Sequence, residues 1–127
     1  SKTVELWKQG KVVGAICHGA LVLARAVDPD TGQSILYGSK VTALTKDLEA
    51  AGYLLTFWLL GRRYRTYECY VADEVRRVLR HPGDFKSSPA MLLPFVVQDR
   101  RLVTARWPID AMKYSLRLAQ MVEARIA

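Results

Sequence analysis

Residues 11–20 constrain the fold most. An apolar, valine-rich run, KVVGAI, stops at Cys17-His18-Gly19-Ala20, and a strongly apolar pattern begins at once. The length of the run and its flanking glycines favour a buried strand over residues 11–16. Leu21, Leu23, Ala24 and Val27 then carry helical spacing through residues 18–27. A strand that enters a helix through one cysteine has the layout of a nucleophile elbow, where the chain doubles back and only small neighbours fit. Ala15 and Gly19, two residues before and two after Cys17, supply them. A side chain at such a turn projects into the crevice where open α/β sheets bind ligands.

Position implies chemistry. A thiol at a helix N-terminus faces unpaired N–H groups and the positive end of the helix dipole, so the sequence predicts a Cys17 pKa below that of free cysteine. The His18 imidazole is placed to shuttle protons, and its backbone N–H to face an oxyanion formed beside Cys17. Cys69 has no such setting and reads as structural, and His81, before Pro82-Gly83, reads as a loop residue. The two cysteines show neither metal-type spacing nor an accompanying histidine cluster. No metal and no cofactor are therefore expected.

Further along, residues 3–9 read as the tail of a helix ended by Gly10, and residues 28–32, DPDTG, as a turn. Residues 40–44, KVTAL, are rich in β-branched side chains and predict a second strand. Thr45 is placed to cap a short helix over residues 46–51, stopped by Gly52. Residues 67–80 predict a helix with Val71, Val75, Val78 and Leu79 on one face. Residues 95–98 and 102–105 predict two short strands joined at Asp99-Arg100-Arg101, and Pro108 opens a final helix to about residue 125. Strands alternating with helices argue for an α/β fold: a flavodoxin-like, doubly wound, mainly parallel sheet with helices on both faces. The strand before Cys17 reads as a central one, yet only the end of a helix precedes it. Earlier βα units, roughly 90–110 residues by ordinary domain size, are thus expected from a missing segment or a complementary N-terminal polypeptide.

Half of the 127 residues are hydrophobic, enough for one cored domain, and the net charge is +7. Such charge permits attraction to nucleic acid or anionic membranes, but the basic residues are dispersed. The exceptions, Arg62-Arg63-Tyr64-Arg65, Arg76-Arg77 and Arg100-Arg101, read as solvated surface, so neither a nucleic acid nor a membrane partner is expected. No apolar run is long enough to span a bilayer, and residues 1–10 carry no signal-peptide core. Two free thiols fit a reducing, cytoplasmic setting.

Ala15-Ile16-Cys17-His18-Gly19 resembles the nucleophile motif of the ThiJ/PfpI superfamily, also called class I glutamine amidotransferase-like proteins. Gly38-Ser39-Lys40-Val41-Thr42-Ala43 resembles that family's second conserved strand, and Leu102-Val103-Thr104-Ala105-Arg106 with Pro108 and Ala111 its last strand and helix entry. The likeness covers the chain except about residues 53–89. It implies that residues 1–127 are the C-terminal portion of a single ThiJ/PfpI-type domain carrying the elbow. It also implies a third catalytic group, which in the glyoxalase III and chaperone branch follows the second strand. Glu49 falls there, with Asp47 as competitor, and Glu49 is preferred as the group that orients His18. A glutamate near the start of the domain and a glycine-rich oxyanion loop, usual in the superfamily, have no counterpart here.

The resemblance implies a cofactor-independent enzyme of the glyoxalase III kind, acting on a small carbonyl substrate: a 2-oxoaldehyde such as methylglyoxal becomes a 2-hydroxy acid through a Cys17 hemithioacetal. The alternatives are a cysteine peptidase or amidase using the same Cys17–His18 pair, and a non-enzymatic stress chaperone or redox sensor with residues 53–70 as client surface. A homo-oligomer is expected.

Overall fold

The computed structural model of the chain describes residues 1–60 and 69–126. Helix α1 (Lys2–Lys8) starts on a Ser1 cap and ends as its sequence requires. Gly10 sits at φ +75°, a conformation that glycine adopts without steric cost. Strand β1 (Val13–Ile16) follows and stops at Cys17. One 3₁₀ turn over Cys17–Gly19 leads into α2 (Ala20–Ala24). The helical spacing of residues 18–27 is thus realised in a shorter helix, because the chain turns back at Val27 to bridge Ser34.

Helix α3 (Lys46–Leu60) begins with Thr45 Oγ1 accepting from Leu48 N at 3.4 Å. The expected stop at Gly52 does not occur. One glycine inside a helix costs only about 1 kcal/mol relative to alanine, too little to end a run of good helix formers. Helix α4 (Val71–Arg77) occupies part of the helix expected over residues 67–80; the first two positions of that range lie outside the described residues, as does the Arg62–Arg65 run. Strands β2 (Val96–Asp99) and β3 (Leu102–Ala105) form the expected hairpin, and Pro108 opens a 3₁₀ turn that passes into α5 (Ala111–Ile126).

The sheet has the order β1-β3-β2, with β1 parallel and β2 antiparallel to β3. The architecture is the expected α/β one, with a mixed sheet. Val13, Ala15, Leu102 and Thr104 share one face through their register, and Gly14 and Val103 the other. The first face packs on the main core, in which Leu21, Leu23, Leu36, Leu44, Leu48, Val71 and Val75 are buried. Each such side chain contributes roughly 1.5–3 kcal/mol. On the second face α5 comes so close that a Cβ at Gly14 would lie 2.6 Å from Tyr114 Oη and 3.0 Å from Val103 Cγ1. Helices therefore cover both faces.

One feature differs from the sequence reading. Residues 40–44 are extended and buried but form no ladder. Val41 makes a single parallel bridge to Phe85, and Thr42 N donates to Thr104 Oγ1 at 2.9 Å. Both edges of β3 are already paired, to β1 and to β2, so the segment lies over the sheet face and is held by a side chain. Among the described residues β1 pairs only with β3, and its other edge is open.

Candidate functional site

The parallel pairing of β1 and β3 brings their carboxyl ends together, with Ile16 opposite Ala105. Cys17 and Arg106-Trp107 therefore follow at the same end of the sheet. Cys17 has φ +58°. A non-glycine residue there costs of order 1–3 kcal/mol and persists only where the surroundings enforce it. Here β1 fixes the residue before and the 3₁₀ turn the residues after. Gly19 keeps the turn open, since a Cβ on it would meet only the Ala15 Cβ at 3.9 Å. The strained cysteine between strand and helix is the elbow that the sequence predicts.

Cys17 is half-buried, and its Sγ lies 3.5 Å from His18 Nδ1. The direction of its pKa is opposite to the expectation. Burial pushes the thiol up, the Glu49 carboxylate adds to this, and the His18 backbone N–H acts the other way without prevailing. The reason is visible in the turn: α2 has five residues behind a single 3₁₀ turn. Its dipole is too short to offset removal of a thiolate from water. The resting group is a thiol with an imidazole nitrogen beside it.

Glu49 is 3 % exposed. Its Oε2 accepts from Val71 N at 3.1 Å, so the carboxylate caps α4 while it acts electrostatically on Cys17. Asp47, two residues earlier, is exposed at the start of α3. The two acidic candidates thus differ in setting: Glu49 is buried and Asp47 is exposed.

A further group at this end was not singled out from sequence. Arg106 and Asp110 are both fully buried. Asp110 Oδ2 accepts from Arg106 N at 2.9 Å and from Arg106 Nε at 3.0 Å, and Oδ1 accepts from Phe95 N at 2.9 Å. The guanidinium also donates to the carbonyls of Ser88, Ala90 and Leu93. Burial alone would raise the Asp110 carboxyl, but its bonds to Arg106 and to the Phe95 and Arg106 amides hold it below the usual carboxylate range. This pair staples the loop over residues 88–93 to the end of β3. The available signal was an acid four residues after an arginine, across a proline, at a helix entry.

Among the described residues no cluster of three or more His, Cys, Asp or Glu could hold a metal ion, and no helix is long and apolar enough to cross a membrane.

No family model matches the chain. Glyoxalase 3 from Candida albicans is 28% identical over 117 residues, an alignment that covers 85% of this chain and 42% of that protein. The solved structure of glyoxalase III from Candida albicans superposes with a TM-score of 0.69 at 23% identity, over 91% of this chain and 45% of the other. Rapid Encystment Protein 24 kDa from Francisella tularensis superposes with a TM-score of 0.73 at 22% identity, over 95% and 48%. The chain spans about half the length of the proteins it matches. The chain is thus similar in sequence to a glyoxalase 3 and shares its fold with these structures, which is consistent with the ThiJ/PfpI resemblance of the Ala15–Gly19 elbow.

Proposed function

We propose that the complete protein is a cofactor-independent, glyoxalase III-like enzyme that converts a 2-oxoaldehyde such as methylglyoxal to a 2-hydroxy acid. The observation that carries the reading is the elbow: a strained Cys17 with Sγ 3.5 Å from His18 Nδ1, in a chain similar to glyoxalase 3. Sγ adds to the aldehyde carbon as its proton passes to His18 and from there to the aldehyde oxygen, which gives a hemithioacetal and leaves the imidazole neutral. His18 then takes the C1 proton, and an enediol forms. Protonation at C2 leaves the thioester of a 2-hydroxy acid. Water cleaves the thioester and restores the thiol. C1 is oxidised as C2 is reduced, so no external redox partner enters.

Glu49 is the positioning group in this reading. A buried carboxylate next to the pair fixes the imidazole orientation and favours its charged form, as the acid does in other triads. Its burial at the start of α4 supports this over the exposed Asp47.

The open edge of β1 supports a second element of the proposal. A groove of about 520 Å³ runs along it, lined by Val13, Ile16, Val22, Leu23 and Tyr114, and reaches Gly19 beside the elbow. Parallel sheets are seldom left exposed, and an unpaired edge beside an apolar groove is a liability. A strand from a complementary N-terminal segment or polypeptide pairs with β1 there and closes the wall of the substrate site.

The test is turnover of methylglyoxal by the complete protein. Cys17→Ser and His18→Ala abolish it. Glu49→Gln keeps an acceptor for Val71 N, and with it the fold, but lowers kcat by roughly 10²–10⁴-fold. Asp47→Asn has little effect. Equal losses from Glu49→Gln and Asp47→Asn would reduce the role to helix charge. Cleavage of a peptide or amide in place of methylglyoxal turnover would move the same Cys17–His18 pair to hydrolysis.

A further inference from the structure

The Arg100-Arg101 pair, read from sequence as solvated surface, lies at the end of the sheet opposite Cys17. Four strand residues separate the two ends, roughly 13 Å along β1. There the hairpin turn and the start of β1 meet the last turns of α5. Gln98, Arg100, Arg101 and Arg125 line a cleft of about 400 Å³ against an apolar wall that includes Val12 and Met121. A second cleft of about 400 Å³ shares Val12 and Arg125 and adds Lys11. Among the described residues neither cleft has a carboxylate in its lining.

The arginines are held, not merely exposed. The Arg101 guanidinium stacks 4.0 Å from the centroid of the Trp7 ring, and one Nη donates to Trp7 O at 2.8 Å. Its Nε is buried and has no hydrogen-bond partner among the described residues. Arg125 Nη2 passes over the same α1–β1 turn, 3.4 Å from where a Cβ on Gly10 would stand. Arg100 Nη2 donates to Ser39 Oγ at 3.0 Å, and its Nε lies 3.5 Å from Asp99 Oδ1. Arg101 and Arg125 make no ion pair among the described residues. Guanidinium groups stay charged at any ordinary pH. Converging them in one cleft costs repulsion, and a buried orphan N–H costs a further desolvation penalty. An anion in the cleft relieves the repulsion.

We propose that this cleft binds a phosphate-bearing small organic molecule, with Arg100, Arg101 and Arg125 on the phosphate and the Val12–Met121 wall against the organic part. Several guanidinium forks match the charge and the multiple acceptor oxygens of phosphate. The volume is that of a small-ligand site. A pocket at one end of the sheet, with basic residues converging inward, is unlike the extended stripe that tracks a nucleic-acid backbone.

Isothermal titration of the full chain with ADP, inorganic pyrophosphate and a short DNA duplex tests this. ADP saturates one site per chain and binds more tightly than pyrophosphate. Arg125→Gln, at an exposed helix end where the fold is not at risk, weakens ADP at least about tenfold, and Arg101→Gln does the same or more. The proposal is overturned by absence of saturable ADP binding at millimolar concentration, or by binding that Arg125→Gln leaves unchanged. Pyrophosphate binding with no gain from the nucleoside, or a DNA duplex that displaces ADP from the arginines, also overturns it.

Discussion

Replacing Asp110 with asparagine removes one charge from the most buried ionic contact of the chain and keeps the side-chain shape. Both partners are 0 % exposed, so the Arg106 guanidinium cannot turn to water when its counter-charge is lost. The new amide keeps one acceptor oxygen, but its NH2 faces two groups that are themselves donors: Arg106 N and Nε on one side, or Phe95 N and Arg106 Nη2 on the other. Breaking a buried pair from one side costs about 3–5 kcal/mol. For a chain of 127 residues the unfolding entropy is about 0.27 kcal/mol per kelvin, so Tm falls by ~15 °C. Circular dichroism on the chain as purified reads the shift at neutral pH. Arg106→Met is also destabilising, because three loop carbonyls lose their donor. In Arg106→Met/Asp110→Asn, however, the losses fall short of their sum by roughly 2–3 kcal/mol. The sign with pH is fixed as well. Asp110 has a lowered folded pKa, so its contribution is whole above the ordinary carboxyl value of 3.8 and drains as pH falls below it. A loss under about 1 kcal/mol for Asp110→Asn, or strict additivity in the double variant, would refute a staple that depends on the charge pair.

Two other measurements bear on the site. Iodoacetamide at neutral pH modifies the exposed Cys69 before Cys17, whose rate then climbs about tenfold per pH unit through pH 9 as the raised thiol ionises; mapped adducts showing Cys17 alkylated first, with a plateau below pH 8, contradict the burial argument. Hydrogen exchange at the outer edge of β1 is fast in the 127-residue chain alone and slows on addition of the complementary N-terminal piece, whereas strong protection of that edge in an isolated monomer removes the case for a second strand.

The elbow was legible because it is local. Strand, cysteine, small residues and helix lie within about a dozen positions, and each obeys a short-range rule. The Glu49 preference came from family likeness, and its burial against Val71 N depends on a contact 22 residues away that no spacing rule shows. The segment over residues 40–44 was legible as extended and apolar but not as unpaired. Its state depends on which edges of β3 are free, a question of topology rather than of β-propensity. Gly52 was overread as a stop for the same kind of reason, since its cost is small against the helix around it.

The thiol is the clearest case of two physical terms competing in one residue. Sequence places Cys17 at a helix start, where the dipole favours thiolate. It cannot show that the helix has only five residues, that Glu49 turns its carboxylate inward, or that packing covers the sulfur. These act together against ionisation. Such a thiol is protected from adventitious alkylation at neutral pH, since the thiolate is the reactive form. In the proposed reaction it meets a bound carbonyl by handing its proton to the imidazole 3.5 Å away as the new bond forms. The cost of ionising sulfur in a half-buried site is then met in the step that uses it, because the charge left by the proton is taken up by the adding carbonyl oxygen. On this account a raised thiol and a catalytic role do not conflict. In the proposed reaction His18 is then the base of the addition, and the Cys17–His18 contact, rather than the helix dipole, is the feature on which reactivity depends.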